Sequence, residues 1–201
     1  MTKAIKEVIN MSKEALIVLL AIFIIIRVVM YFCSDSRRFS LHEEIMNLLF
    51  LAYLLVLALL VTSDSGVDGG TNFIPFKEIL RYDVKSVGFQ KQVIGNILLF
   101  MPFGFFVSKY GNIKNLGTIT LASLLSSLSI ELVQYFVVSS RSFDIDDIIL
   151  NVVGGILGFL IFISLNAINN HMPKFLRRDW FYNVLSILIV ILIAFYVIKV
   201  A

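Results

Sequence analysis

One cysteine, two histidines and a charged fraction of only 15% are what this chain of 201 residues has little of. The lone Cys33 excludes a disulfide framework and a cysteine-rich metal site. The histidines, His42 and His171, read as loop residues away from the other polar groups, and no H-E-x-x-H pair occurs. A zinc-peptidase helix, a serine–histidine dyad inside the membrane and a transition-metal site are therefore not expected. Charge is too sparse for a water-soluble domain of this length. Hydrophobic residues take its place, at 59% of the chain, with a mean hydropathy of +0.92. That balance belongs to an integral membrane protein, in which about 20 apolar residues are needed for each spanning helix. The formal charge of +3 is small and its basic residues flank apolar runs, as membrane-flanking positions do. No nucleic-acid partner follows from it.

Six apolar runs follow one another, at about 15–32, 45–62, 93–108, 117–138, 148–167 and 181–198. The expected fold is all-α, a polytopic membrane bundle with about six transmembrane helices. It divides into an N-terminal helix and loop at 1–44, a central transmembrane domain at 45–169 and a C-terminal loop and helix at 170–201. No small-residue cleavage site follows the first run, so it is expected to remain as a helix. Arg27 near its end is placed to snorkel or to pair with a carboxylate. Lys and Arg are slightly more numerous on the side of both termini, which leans toward cytoplasmic termini. No internal repeat is evident, and no separate soluble catalytic domain has room.

Polar residues within the apolar runs are the informative exceptions. At about 100° per residue, Thr120, Ser123, Ser127, Glu131 and Gln134 share one helix face. On the next helix Asp144, Asp147, Asn151, Gly154, Gly155 and Gly158 share another, with Asp146 pointing the opposite way. Asn96 opens the third run, and Arg141 lies in the turn between the fourth and fifth, within reach of Glu131 or an aspartate. All of these approach one membrane surface, and ionisable groups within a membrane point to function. The candidate binding set is Asn96, Glu131, Gln134, Arg141, Asp144, Asp147 and Asn151, with Glu131 and Asp147 as the candidates for catalysis. Each has a plainer reading beside it. Asp144 caps a helix and Asp147 answers the helix dipole. Glu131 with Arg141 is a structural ion pair, and the serines and glycines allow close helix packing. The long segment at 63–91 carries an apolar patch, Asn72-Phe73-Ile74-Pro75-Phe76, that reads as an interfacial segment with its rings at the headgroups. Pro102, two residues before Gly104, removes a backbone donor and kinks the third helix.

Four stretches carry a resemblance: Asn72 to Phe76, Asn96 to Gly104, Ile130 to Phe136, and Arg141 to Gly155. In order and spacing they resemble the successive motifs of VanZ-like membrane proteins, over about residues 45–165. The resemblance implies a small bacterial multi-pass protein of the inner, cytoplasmic membrane. Structural roles fall to Pro75 and Phe76 in the interfacial segment, to Pro102 and Gly104 at the kink, and to Gly154, Gly155 and Gly158 at close helix contacts. The resemblance also implies a part in the response to teicoplanin, a lipid-bearing glycopeptide against which founding members give low-level resistance.

Three functional classes fit the residues. The first is binding or handling of an amphiphile, a membrane lipid, a lipid-linked envelope precursor or a lipoglycopeptide. Its head would meet Arg141 and the amides of Asn96, Gln134 and Asn151, and its chain Leu99, Phe100 and Phe103. A flippase or scramblase is the second, its track the serine and threonine stripe of the fourth run. The third is an intramembrane enzyme modifying an envelope lipid, with Glu131 or Asp147 as general acid or base and Arg141 steadying negative charge. Asp144 with Asp147 could hold a hard divalent ion, yet no metal template is present, and neither metal nor cofactor is expected.

Overall fold

The computed structural model describes residues 40–62, 70–137 and 142–200. The expected first helix, with Arg27 and Cys33, lies outside the described residues, as does Arg141. The rest is helical: α1 (Leu41–Thr62), α2 (Lys77–Arg81), α3 (Val87–Tyr110), α4 (Leu116–Val137), α5 (Ile145–His171) and α6 (Asp179–Val200). An all-α fold is what the apolar runs demand, because a chain in lipid has to satisfy its own backbone hydrogen bonds. Among the described residues, α1, α3, α4 and α5 are long and apolar enough to cross a membrane. The helix α6 adds 22 residues.

Helix ends differ from the apolar runs for local reasons. The helix α1 starts at Leu41, so His42 lies in its first turn and not in a loop; His171 likewise ends α5. Helix α5 begins at Ile145 because Asp144 caps it: the Asp144 side chain accepts from the Asp146 N–H at 2.9 Å. At the other end of the site, α3 carries a π turn over Gln90–Ile94, closed by a bond from the Gly95 N–H to the Gln90 carbonyl. Such turns insert one residue into a helix and recur at functional sites.

The chain forms two compact units, Met1–Leu49 with Pro173–Ala201, and Phe50–Met172. In the first, the Asn183 side chain of α6 accepts from the His42 N–H at 2.9 Å, capping α1 from another helix, and the Tyr182 ring lies 5.2 Å from the His42 ring. The second unit holds the candidate site. Its centre is the α3–α5 pair, where glycine brings the two backbones together. A Cβ on Gly104 would overlap the Gly155 carbonyl, and one on Gly158 would overlap the Met101 carbonyl. Gly155 also faces Ser123 of α4, so three helices meet at that residue. From α1, Phe50 and Tyr53 stack toward Phe106 at 5.0 and 6.2 Å between ring centres.

Candidate functional site

Two side chains tie the segment before α2 to the start of α5. Asn72 is buried, and its backbone joins the neighbouring stretch on both sides, donating to the Phe143 carbonyl and accepting from the Ile145 N–H. The Asn72 side-chain amide donates to Asp144 Oδ1 at 2.9 Å, and its oxygen accepts from the Ile74 N–H at 3.1 Å. Asp146 is the other tie. Its carboxylate accepts from the backbone N–H groups of Phe76, Glu78 (2.7 Å) and Ile79 (3.2 Å), which lie at the start of α2 and have no helical acceptor of their own.

Asp146 does lie off the face that lines the cavity, as the helix wheel has it, but that side is not an empty one. Asp146 is only 1% exposed and points into the α2 segment, because a polar partner can lie on either side of a helix that is covered on both. The bond also holds Phe76 at a positive φ of 66°, a conformation uncommon for a residue with a side chain. With the backbone tied inward, Phe73, Ile74 and Phe76 turn their side chains outward, Phe73 to 69% exposure. That leaves apolar rings on the surface of the segment.

Behind the segment opens a cavity of about 650 Å³. Asn96, Glu131, Gln134, Asp144, Asp147 and Asn151 all line it, so three helices bring together every described member of the candidate binding set. The contacts between them are specific. Asp147 Oδ1 accepts from the Gln92 amide at 2.8 Å and from the Asn96 amide, the first within the π turn of α3 and the second just after it. Glu131 Oε2 accepts from the Asp144 N–H at 3.0 Å, linking α4 to the cap of α5. Asn151 donates its amide to Ser127 Oγ at 2.9 Å.

Burial grades the lining. Glu131, Gln134 and Asn151 are 2%, 6% and 4% exposed, and Arg81 and Lys91 at the other extreme are exposed. Arg81 is paired with Glu78 at 3.1 Å, and that partner holds its guanidinium above its ordinary pKa. Burial, ahead of all other causes, pushes the Asp144 carboxyl up, against the bonds from Asn72 and Asp146 that lower it. Leu60, Val61, Leu99, Phe100 and Ile130 give the cavity an apolar wall. Phe103 is not part of that wall; its ring packs on Phe100 at 5.0 Å. Among the described residues no three His, Cys, Asp or Glu side chains come together as a metal site requires.

The serine stripe divides. Ser123 and Ser127 are fully buried at the seam with α5, one against Gly155 and the other bonded to Asn151, and only Glu131 and Gln134 reach the cavity. Pro75, Phe76, Pro102, Gly104, Gly154, Gly155 and Gly158 stand outside the lining, in the outer segment and the helix contacts. Sequence reading missed Asn72, Glu78, Arg81, Lys91 and Asp146 as parts of the site or its frame. Gln92 was visible as a neighbour of Asn96 at helical spacing, and Asn72 and Asp146 as members of the quoted motifs.

A family model described as VanZ/LLP1 matches residues 15–166. The chain belongs to the VanZ/LLP1 family. The match takes in every described residue of the cavity wall and the segment tied by Asn72 and Asp146. A curated relative, Protein VanZ of Enterococcus faecium, is 32% identical over 91 residues, which cover 44% of this chain and 53% of that protein. The alignment thus spans about half the length of the relative. No solved structure matches. Family and apolar helices together make this a membrane protein.

Proposed function

We propose that this membrane protein receives the polar head of an amphiphile in the cavity between α3, α4 and α5, within the bacterial cytoplasmic membrane. The observation that carries the reading is the mixed lining: the buried Glu131, Gln134 and Asn151, the apolar Leu60, Leu99 and Ile130, and the exposed Arg81 and Lys91 all face one cavity. A molecule with a polar head and an apolar chain finds both kinds of partner there. The outward rings of Phe73 and Phe76 support it, since aromatic residues at a membrane interface would hold the cavity at headgroup level. Candidate ligands are a membrane lipid, a lipid-linked envelope precursor and a lipoglycopeptide, and the family likeness makes a contribution to teicoplanin resistance part of the proposal.

The flippase reading has less support, because Ser123 and Ser127 are spent on helix contacts and do not extend the cavity along α4. Catalysis by Asp147 has less as well, since Gln92 and Asn96 both donate to the same carboxylate oxygen and so occupy it.

The test is lipid retention by the purified protein, measured by native mass spectrometry for wild type and for Leu99→Trp, which fills the apolar wall. Loss of a co-purifying lipid in the variant, with unchanged helix content, is expected. Equal retention would sink the reading. In cells, Gln134→Leu is expected to lower any protection against teicoplanin that the wild-type chain gives a susceptible host.

A further inference from the structure

The side-chain amides of the cavity divide by whether they are spent. Gln92 and Asn96 donate to Asp147, and Asn151 donates to Ser127. Gln134 is different: it is 6% exposed and lines the cavity, yet its side chain meets no hydrogen-bond partner among the described residues. Tyr53 Oη, Ser123 Oγ and Asn151 Oδ1 also lack a partner there, but those atoms are sealed from solvent. The Gln134 amide is not sealed, so its donors and its acceptor are both available to whatever fills the cavity. Further back along the same face of α4 the polar groups hold the fold, Glu131 by accepting from the Asp144 N–H and Ser127 by accepting from Asn151. Gln134 ends that stripe with its hydrogen bonds unmade. A buried amide left so is costly, and a bound group that satisfies it gains accordingly.

Resting on the amphiphile reading above, we propose that the part of the head set against Gln134 is a polyol, of the glycerol or sugar kind, and that Gln134 is the residue that selects it. A carboxamide presents two N–H donors and one carbonyl acceptor. Turning it by half a rotation exchanges the nitrogen and the oxygen and leaves that demand unchanged. A hydroxyl both donates and accepts, and neighbouring hydroxyls serve the two ends of the amide together. A phosphodiester oxygen only accepts, an ammonium only donates, and a quaternary ammonium does neither, so each leaves part of the amide unmet. Water in the cavity also donates and accepts. A hydroxyl replaces it with no hydrogen bond lost, and those other groups do not.

Two pairs of lipids with one acyl composition test this by direct titration of the detergent-solubilised full chain. Phosphatidylglycerol against phosphatidylmethanol adds a diol at constant charge, and glucosyl-diacylglycerol against the methyl ether of diacylglycerol adds a sugar. In at least one pair the hydroxyl-bearing lipid is expected to bind about tenfold tighter, the worth of one or two neutral hydrogen bonds. A gain in the first pair alone assigns glycerol, in the second alone a sugar, and in both the chemistry they share. Phosphatidylethanolamine, whose amine only donates, should bind more weakly than the preferred hydroxyl-bearing lipid, and the reverse order would overturn the polyol. Gln134→Met, of similar length and without the amide, should bring the members of each pair level. A gain that persists in that variant, with helix content unchanged, would overturn the assignment to Gln134. The wild-type comparison stands by itself where the methionine variant does not fold. Equal affinities within both wild-type pairs, all lowered by Leu99→Trp, would overturn the polyol while leaving the amphiphile reading in place. Failure of every lipid to bind would remove both.

Discussion

Asp144, half-buried, and Asp146, fully buried, are two residues apart and use their carboxyl groups differently. Asp146 spends its carboxylate on three backbone N–H groups of the α2 segment. Hydrogen bonds to a charged acceptor contribute about 1.5–3 kcal/mol each and do not add fully, so Asp146→Ala is expected to cost about 2–4 kcal/mol locally. Amide exchange should show it: the Phe76, Glu78 and Ile79 N–H groups lose protection while the middle of α5 keeps its own. Asp144 has fewer donors, and burial raises its pKa. With the folded value above the unfolded one, the folded state holds more protons across the interval between them. Its contribution to stability is therefore fully present below the unfolded value and lost as pH rises through the folded one. Asp144→Asn keeps an oxygen to accept from Asn72 and Asp146, and should match or exceed wild-type thermal stability in detergent at neutral pH. That advantage should shrink on acidification toward the ordinary aspartate range. An advantage that grows on acidification would contradict the assignment.

At the scale of elements, the α3–α5 contact depends on the absence of side chains. Because a Cβ on Gly104 would meet a backbone carbonyl and not the tip of a flexible side chain, Gly104→Val cannot be relieved by a rotamer change. It should destabilise the protein by about 1–3 kcal/mol or more, read as a lower melting temperature in detergent. Gly70→Ala, with nothing within 4 Å of the added methyl, serves as the control. In the other unit, Asn183→Ala removes the acceptor for the His42 N–H and should cost about 1 kcal/mol, the usual value of a helix cap. The cap joins positions 141 residues apart. Nothing in the local pattern around Leu41 announces it, whereas Asp144 reads as a cap from its place before an apolar run.

For the whole molecule, the described helices present apolar side chains on most of their outer surface, from Leu49 and Val56 on α1 to Leu157 and Leu160 on α5. Such a surface requires lipid or detergent, and the protein should stay with the membrane after alkaline carbonate extraction. Gly70 lines the cavity and has open space around it, so Gly70→Cys in a Cys33→Ser background reports which leaflet the cavity serves. The distribution of Lys and Arg predicts protection from an impermeant thiol reagent on intact cells. Labelling would place the cavity outside, where it meets a glycopeptide directly.

By itself the sequence determined that this is a helical membrane protein of the VanZ/LLP1 family with polar groups gathered on its third, fourth and fifth apolar runs. Composition, period and motif order are local quantities, and they fix helix positions and the faces of Glu131, Asp147 and Asn151. Which partner each polar group takes was decided only by tertiary structure. Asp146 bonds to backbone groups 67 to 70 positions away, and Ser127 turns into a helix seam, not a track, because hydrogen bonds are satisfied in space. A helix wheel gives the direction of a side chain and not what lies there. The cavity exists only once three helices and a tied segment enclose it.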